Sequence, residues 1–193
     1  MTTASTPKGE RRRQALVAAA AELLVEGGFD AVRHRAVAER AGLPLASTTY
    51  YFDSLDELVT AAAEEHGRAE LARGRQRLEE LTRAHRSVDS LVELVLEMLL
   101  GLPTESDAEG VLLRYERLVA TGRRPYLRPL MRKLSGQLTE LLREILRRSG
   151  ADVDTKRVEQ IVALVDGAVV NALIEINPDP REAARRMLRE ALA

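Results

Sequence analysis

Apolar residues recur along most of this chain at intervals of three and four, which places them on one face of an α-helix. The first such series lies between residues 10 and 26 and consists of Leu16, Ala19, Ala20, Leu23 and Leu24. A sustained alternation of apolar and polar residues, the pattern of a half-buried strand, is not found in the sequence. The pattern therefore predicts an all-α protein with about nine helices.

Glycine, proline and capping residues divide the rest of the sequence into further helices. They are predicted over residues 55–81, 91–100, from Ser106 or Asp107 to Val119, and over 126–146, 158–176 and 181–192. The segment 91–100 is apolar around most of its circumference, so we expect it to be buried. The segment 158–176 is too broadly apolar for one buried face, and lies either at the centre of the protomer or between the core and a second subunit.

Two short helices on either side of a glycine are predicted near the N-terminus. Residues 35–41 form the first, and Gly42 tolerates the left-handed backbone that ends a helix. Pro44 suits the start of the second helix, which covers residues 45–51. Two short helices across such a turn have the geometry of a helix-turn-helix, whose second helix enters the major groove of DNA.

Capping residues mark the helices on both sides of this motif. Thr6 and Pro7 are suited to cap and start the first helix of the chain. Ser54 and Glu57 form a capping box, in which Ser54 binds the Glu57 amide and Glu57 binds back to the backbone. A long helix is therefore expected to begin directly after the helix-turn-helix.

Four segments in and around this motif form a recognisable pattern: Gly28-Phe29-Asp30-Ala31, Ala38-Glu39-Arg40-Ala41-Gly42, Thr49-Tyr50-Tyr51-Phe52 and Ser54 to Leu58. With these segments the stretch resembles the DNA-binding domain of the TetR family of transcriptional regulators. The resemblance implies an N-terminal DNA-binding domain over residues 1–53 and a helical ligand-sensing and dimerisation domain over residues 54–193. Beyond about residue 60 the resemblance is one of length and helical architecture only.

The chain departs from the family pattern at three positions. Family members often carry a capping hydroxyl residue, a tyrosine and a phosphate-binding lysine where this chain carries Arg33, Thr49 and Leu55. A cap and at least one phosphate contact must therefore be replaced, and Arg33 is the expected substitute donor.

The second helix of the motif has an unusual composition for a DNA-reading helix. Residues 44–51 contain no Arg, Lys, Asn or Gln, the side chains that make bidentate contacts to guanine or adenine. Base readout is then left to contacts with thymine methyls and to single hydrogen bonds. The resemblance assigns Tyr50 and Tyr51 to phosphate contacts, and Phe52 is expected in the core. The predicted DNA-contacting residues are Arg33, Arg35, Pro44, Leu45, Ser47, Thr48, Thr49, Tyr50 and Tyr51.

Charge adds modest support to this interpretation. The chain has 29 Lys and Arg against 30 Asp and Glu, but residues 1–52 carry seven basic and five acidic side chains, a net charge of +2. Lys8 and Arg11 to Arg13 form a basic arm that either contacts phosphates or is simply solvated. The absence of cysteine, of a signal peptide and of a long apolar segment favours a cytoplasmic protein without membrane contact.

The sequence offers no catalytic constellation, so we predict neither an enzyme nor a cofactor or metal site. His66 and Glu70, four residues apart, are interpreted as a solvated pair. The resemblance implies a pocket for a small-molecule effector in the helical body, where Met adapts to irregular shapes and Tyr or Arg orients a polar group. The candidate pocket residues are Met98, Arg114, Tyr115, Leu118, Tyr126 and Met131.

The resemblance also implies a homodimer in which the last two helices pair with their copies in a four-helix interface. Three polar residues within the apolar segment 158–176 either line the pocket, bond across the dimer or face solvent; they are Asp166, Asn171 and Glu175. The candidate interface residues are Val162, Val165, Val169, Leu173, Ala184, Met187 and Leu188.

Together these features predict a homodimeric transcriptional regulator, most simply a repressor that a small-molecule ligand releases from a palindromic double-stranded DNA operator. Two alternatives stay open. An all-α ligand carrier or small enzyme that reuses the fold would bind no DNA above background. A helical adaptor would use the motif to hold another protein and would show no salt-dependent DNA binding.

Overall fold

Nine α-helices account for most of the residues that this computed structural model describes, which are 6–81, 86–102 and 107–192. The helices are α1 (Pro7–Ala31), α2 (His34–Arg40), α3 (Leu45–Tyr51), α4 (Leu55–Glu80), α5 (Val88–Leu100), α6 (Asp107–Thr121), α7 (Arg128–Arg148), α8 (Thr155–Ile174) and α9 (Pro180–Leu192). A 3₁₀ turn, Pro125–Leu127, precedes α7. The all-α prediction is confirmed, and within the described ranges no helix is long and apolar enough to span a bilayer.

The predicted helix starts are confirmed where their caps are visible. Thr6 Oγ1 accepts a hydrogen bond from the Gly9 amide at 3.2 Å, and Pro7 occupies the first helical position. Gly28 has a φ of 66°, so the expected end of the first helix is instead a kink after which helical geometry resumes for one turn. α6 is described from Asp107 onwards and Ser106 lies outside the described residues, so both predicted starts stay predictions.

The chain divides into two compact units. The first unit comprises residues 1–69 and 116–131, and the second comprises residues 70–115 and 132–193. The first unit therefore holds α1 to α3, the first part of α4, the end of α6 and the 3₁₀ turn. The functional division expected between residues 53 and 54 stays a prediction, and both of these residues belong to the first unit. Leu58, Val59 and Ala62 of α4 are buried.

The core of the second unit is built around α5, as its sequence predicts. Seven of its side chains are buried, namely Leu91, Val92, Leu94, Val95, Leu96, Leu99 and Leu100. The buried residues of α8 and α9 pack in the same cluster, and α8 and α9 also pack on each other. α8 has one buried face, and further apolar residues such as Val162 and Leu173 are only partly covered, so its excess apolar surface extends to the outside of the protomer.

Three arginines of α9 fix its register against α5. The buried Arg181 donates from Nη2 to the Leu100 carbonyl at 3.0 Å, at the end of α5. One turn further along α9, Arg185 pairs with Glu93 at 2.6 Å. Arg189 then pairs with Asp89 at 2.7 Å, in the first turn of α5. The two helices are therefore antiparallel, and polar contacts connect them at both ends and in the middle.

A second ionic cluster links α7 to α4. Glu144 accepts hydrogen bonds from Arg147 at 2.7 Å and from Arg148 at 2.9 Å. These two arginines lower the pKa of Glu144 from 4.5 to about 2. Arg148 also donates to the Leu78 carbonyl of α4 at 2.9 Å, so Glu144 orients a side chain that joins two helices.

Replacing Glu144 with glutamine is expected to lower the free energy of unfolding at neutral pH by about 1 kcal/mol or less, because the cluster is partly solvated. The folded-state pKa lies below the ordinary value of 4.5, so the carboxylate stabilises the fold fully above that pH and loses its effect as the pH falls towards 2. Urea denaturation curves of the two proteins should therefore converge in acid. Glu140→Gln, which removes the partner of Arg143 on the same helix, is the control; an equal loss with the same pH dependence would contradict the assignment to Glu144.

Candidate nucleic-acid interface

The turn between α2 and α3 has the backbone bonding of a Schellman motif. Gly42, at φ 64°, donates to the Glu39 carbonyl at 3.1 Å, and Leu43 donates to the Ala38 carbonyl at 2.9 Å. Pro44 is the N-cap of α3 in an extended conformation, which sends the chain directly into the second helix. The predicted helix-turn-helix is therefore confirmed, with α3 in the position of the helix that enters the major groove.

One side of α3 belongs to the core of the first unit. Thr48 is 0% exposed, and its hydroxyl donates to the Leu45 carbonyl at 2.8 Å. Phe52 is buried as expected and lies under the guanidinium of Arg13, 5.1 Å from the ring centroid. The prediction that Thr48 contacts DNA is therefore wrong, because the side chain points inward and its hydrogen bond is already made within the helix.

The opposite side of α3 faces outward. Leu45 is 52% exposed and Tyr50 is 80% exposed, and the Tyr50 ring meets the edge of Tyr51 with 4.9 Å between centroids. Thr49 is also exposed, although its hydroxyl donates to the Ala46 carbonyl at 3.3 Å. Ala46 shares this exposed surface and was missing from the sequence-based set. Ala46 could have been predicted from the sequence, because it lies beside Leu45 and an alanine methyl can contact the methyl group of thymine.

The arginines around the motif differ in their bonding. Arg40 pairs with Glu26 at 2.7 Å and Glu22 at 3.2 Å, which ties α2 to α1 and holds the pKa of Glu26 below its usual range. Arg33 is exposed and donates from Nε to the Asp30 carbonyl at 2.9 Å, and it makes no side-chain cap for α2. Arg35 is exposed on the first turn of α2. Arg33 and Arg35 therefore remain exposed cations at the start of α2, whereas Arg40 is engaged in ion pairs with α1.

The start of α4 is fixed by the predicted capping box. Ser54 Oγ accepts from the Glu57 amide at 3.1 Å, and Glu57 reaches back to accept from the Asp53 amide at 2.8 Å. These bonds satisfy amides that the helix itself leaves open, directly after α3. The C-terminal end of α3 is therefore held at a defined point.

The turn between α6 and α7 also lies in the first unit; we call residues 120–127 the α6–α7 corner. Arg124 places its guanidinium 4.0 Å from the centroid of the Phe29 ring, at the end of α1. Tyr126 is hydrogen-bonded to Asp56 in the first turn of α4, and burial together with this carboxylate raises the pKa of Tyr126. The corner thus contacts residues on both sides of the helix-turn-helix.

The six predicted effector residues divide between the units. Leu118, Tyr126 and Met131 lie in the first unit, and Leu118 is exposed. The other three, Met98, Arg114 and Tyr115, lie in the second unit. Arg114 and Tyr115 each take part in a partly buried polar pair there. Met98 packs so closely on Gly74 of α4 that a Cβ there would lie 2.3 Å from its terminal methyl.

Tyr115 and Arg114 each bind a partly exposed carboxylate in the second unit. The Tyr115 hydroxyl donates to Asp166 Oδ1 at 2.8 Å, and burial followed by this carboxylate raises the pKa of Tyr115. Arg114 donates to Glu70, so Glu70 is bonded within the body and the interpretation of a solvated pair with His66 is corrected. Among the described residues, no cluster of three or more metal-ligating side chains occurs.

A cavity of about 490 Å³ opens between the end of α4 and α5. Its lining consists of Arg77, Glu80, Leu81, Arg86, Asp89, Ser90, Glu93, Leu94 and Glu97. Its acidic side chains are engaged in ion pairs, for example Glu97 with Arg77 at 3.3 Å. None of the six predicted effector residues lines this cavity.

The predicted dimer residues also separate into two sets. Val165, Val169, Ala184 and Leu188 are each 0% exposed and belong to the core of the protomer, so their assignment to an interface is wrong. The helical spacing alone placed residues of the buried face and residues of the neighbouring outer face in one predicted interface. Val162, Leu173 and Met187 keep exposed or partly exposed side chains.

The comparisons with known proteins agree with this geometry. Residues 16–62 match the family described as bacterial regulatory proteins, tetR family, and residues 86–193 match the family described as tetracyclin repressor-like, C-terminal domain. Among curated proteins none matches the sequence significantly.

Solved structures extend the similarity over almost the whole chain. The multidrug binding protein EbrR in complex with proflavin is 31% identical, with 94% of this chain and 99% of that chain covered and a TM-score of 0.69. The EbrR complex with ethidium is 30% identical, with 94% and 98% covered and a TM-score of 0.68. A member of the TetR family from Streptomyces coelicolor A3, SCO1917, is 30% identical, with 93% and 96% covered and a TM-score of 0.62. The helix-turn-helix at the N-terminus and the match across the C-terminal helices lead to one conclusion: this chain belongs to the TetR family of bacterial DNA-binding transcriptional regulators.

Proposed function

We propose that the protein is a homodimeric repressor that binds a palindromic operator through α3 and is released by a small organic effector. The outer face of α3 carries this proposal. It presents exposed Leu45 and Tyr50 on a seven-residue helix whose other side is buried through Thr48. Large apolar and aromatic side chains on an exposed, well-anchored short helix favour a macromolecular contact surface.

The chemistry of this face favours thymine-containing half-sites. Leu45 and Ala46 offer methyl groups and Thr49 offers one methyl, which suit the C5-methyl of thymine in the major groove. The Tyr50 and Tyr51 hydroxyls and the guanidinium groups of Arg33 and Arg35 are suited to phosphates on either side. Pro44 and Ser47 border the same surface. Base readout is therefore shared between apolar contacts and the repetition of the half-site across a dimer.

The outer surface of α8 and α9 supports the proposed dimer. Ile174 and Met187 are exposed, and Ile176, two residues after the end of α8, is 89% exposed with a φ of 54°. A β-branched residue in the left-handed region is strained, and an exposed one gains nothing from water. A second copy of the chain that covers Val162, Leu173, Ile174, Ile176 and Met187 would offset this cost by burying them.

The proposed effector site lies in the second unit around the Tyr115–Asp166 and Arg114–Glu70 pairs. EbrR has been crystallised with proflavin and with ethidium, which are flat organic cations. We propose a ligand of the same class, whose charge is balanced by the Asp166 carboxylate, since Glu70 is already paired with Arg114. For such a ligand to release DNA, it must bind the released conformation more tightly than the DNA-bound one.

The test is a selection of random duplex DNA by the full-length protein, repeated at low and near-physiological salt. We expect a palindrome whose half-site centres are about 34–36 Å apart, or a multiple of this distance. Enrichment only at low salt and without a motif would indicate phosphate binding by the basic arm, Lys8 and Arg11 to Arg13, and would overturn the proposal. The recovered operator is then titrated with proflavin, and release of the DNA tests the effector class separately.

A further inference from the structure

The α6–α7 corner contacts the two points at which the helix-turn-helix is attached to the rest of the first unit. Phe29 and Asp30 lie at the end of α1, just before α2. Asp56 lies in the first turn of α4, just after α3. Arg124 contacts the first point and Tyr126 the second. A displacement of the corner would therefore act on both ends of the motif at once.

Arg124 is held in a defined orientation at this contact. Its Nη1 donates to the Ala120 carbonyl in the last turn of α6 at 2.8 Å, and its backbone amide donates to the Thr121 carbonyl at 2.9 Å. The guanidinium then lies over the Phe29 ring at 4.0 Å. Its Nη2 is 3.9 Å from Asp30 Oδ1, but that carboxylate is almost fully exposed and contributes little. Stacking on the ring is consequently the main interaction of Arg124 with the end of α1.

The contact continues from Phe29 towards α2 through the backbone. Phe29 follows the left-handed Gly28 and is itself buried, so its position is fixed by the kink in α1. The adjacent Asp30 carbonyl accepts from Arg33 Nε at 2.9 Å, and Arg33 is the residue before α2. On the other side, the corner is anchored by the fully buried Leu127. Both partners of the stack are therefore rigidly supported.

We propose that Arg124 is a positioning residue that fixes the orientation of the helix-turn-helix by clamping Phe29 to the end of α6. The inference rests on the proposed function, because orientation is read out through operator binding. α6 is one continuous helix that also carries Tyr115, a residue of the proposed effector site.

The test uses the operator duplex recovered by selection and duplexes in which the half-site spacing is changed by one or two base pairs. Wild-type protein is expected to lose about tenfold in affinity for a one-base-pair change, since each base pair rotates and shifts the second half-site. Arg124→Ala, and Phe29→Leu as an apolar replacement without an aromatic face, should bind all spacings with affinities within about threefold of one another. Arg124→Lys should behave like Arg124→Ala, because an ammonium group lacks the planar face and the paired N–H donors with which a guanidinium stacks on a ring and hydrogen-bonds at the same time.

Arg123→Ala is the matched control, since Arg123 is the neighbouring exposed arginine of the same corner. It should keep the wild-type dependence on spacing. If Arg124→Ala keeps that dependence as well, even with a uniform loss of affinity or a lower melting temperature, Arg124 is merely structural and the proposal is overturned. Failure of the wild-type protein to select any operator would instead reject the proposed function. If Arg124→Ala does not fold, the Phe29→Leu and Arg124→Lys proteins decide the question.

Discussion

Tyr50→Ala is expected to weaken binding to the selected operator by about tenfold, which corresponds to the loss of one or two good polar and stacking contacts. The free energy of unfolding should hardly change, because Tyr50 is 80% exposed, with its ring in edge-to-face contact with Tyr51. Fluorescence anisotropy with labelled operator gives the affinity, and urea denaturation followed by circular dichroism gives the stability. Tyr50→Phe separates the contribution of the hydroxyl from that of the ring.

Thr48→Val serves as the control for this prediction on the same helix. It removes the buried hydroxyl that donates to the Leu45 carbonyl at 2.8 Å while keeping the shape of the side chain. We expect a loss of about 1 kcal/mol in stability and an unchanged operator affinity. Wild-type affinity in Tyr50→Ala, or a selective loss of affinity in Thr48→Val, would show that another face of α3 meets the DNA.

Leu188→Ala is expected to destabilise the protein by about 2–5 kcal/mol, the usual cost of truncating a fully buried leucine. Leu188 is 0% exposed and packs in the cluster that joins α5, α8 and α9. A loss of this size is a large fraction of the stability of a typical domain. Urea denaturation at several protein concentrations should show the loss at every concentration.

The adjacent Met187 provides the matched comparison, since it is 36% exposed on the outer face of the same helix. Met187→Ala should spare the protomer but raise the dimer dissociation constant measured by sedimentation equilibrium. Its apparent stability should therefore depend on protein concentration more steeply than that of the wild type. A monomeric Leu188→Ala protein of normal stability would contradict this division of α9 into a buried and an interface face.

The sequence was sufficient for the helices and for the helix-turn-helix, because both depend on local signals. The glycine at position 42, the capping residues Thr6 and Ser54 and the three-four spacing act within a few residues, and the structure confirms them. Thr48 was assigned to the wrong side because a small polar residue on a two-turn helix has no apolar signal to mark it as buried. Its burial depends on the hydrogen bond that it makes to its own helix.

Contacts between segments far apart in the sequence could not be predicted in the same way. α8 is apolar on two adjacent faces, and spacing alone does not distinguish Val165 and Val169 in the core from Val162 and Leu173 at the edge. The stack of Arg124 on Phe29 and the bond from Tyr115 to Asp166 likewise depend on tertiary packing. In the sequence alone, an arginine or a tyrosine in these segments could equally well lie on the surface or make a buried contact.

The uncharged outer face of α3 has a thermodynamic consequence. If Leu45, Ala46 and Tyr50 distinguish one operator from another by burying apolar surface, the difference between correct and incorrect sites should carry a negative heat-capacity change. Under the proposed function, the same cations would contact phosphates at correct and incorrect sites, so added salt should weaken binding to both by similar factors. Calorimetry would then find that the discrimination between sequences varies with temperature and is nearly constant with ionic strength.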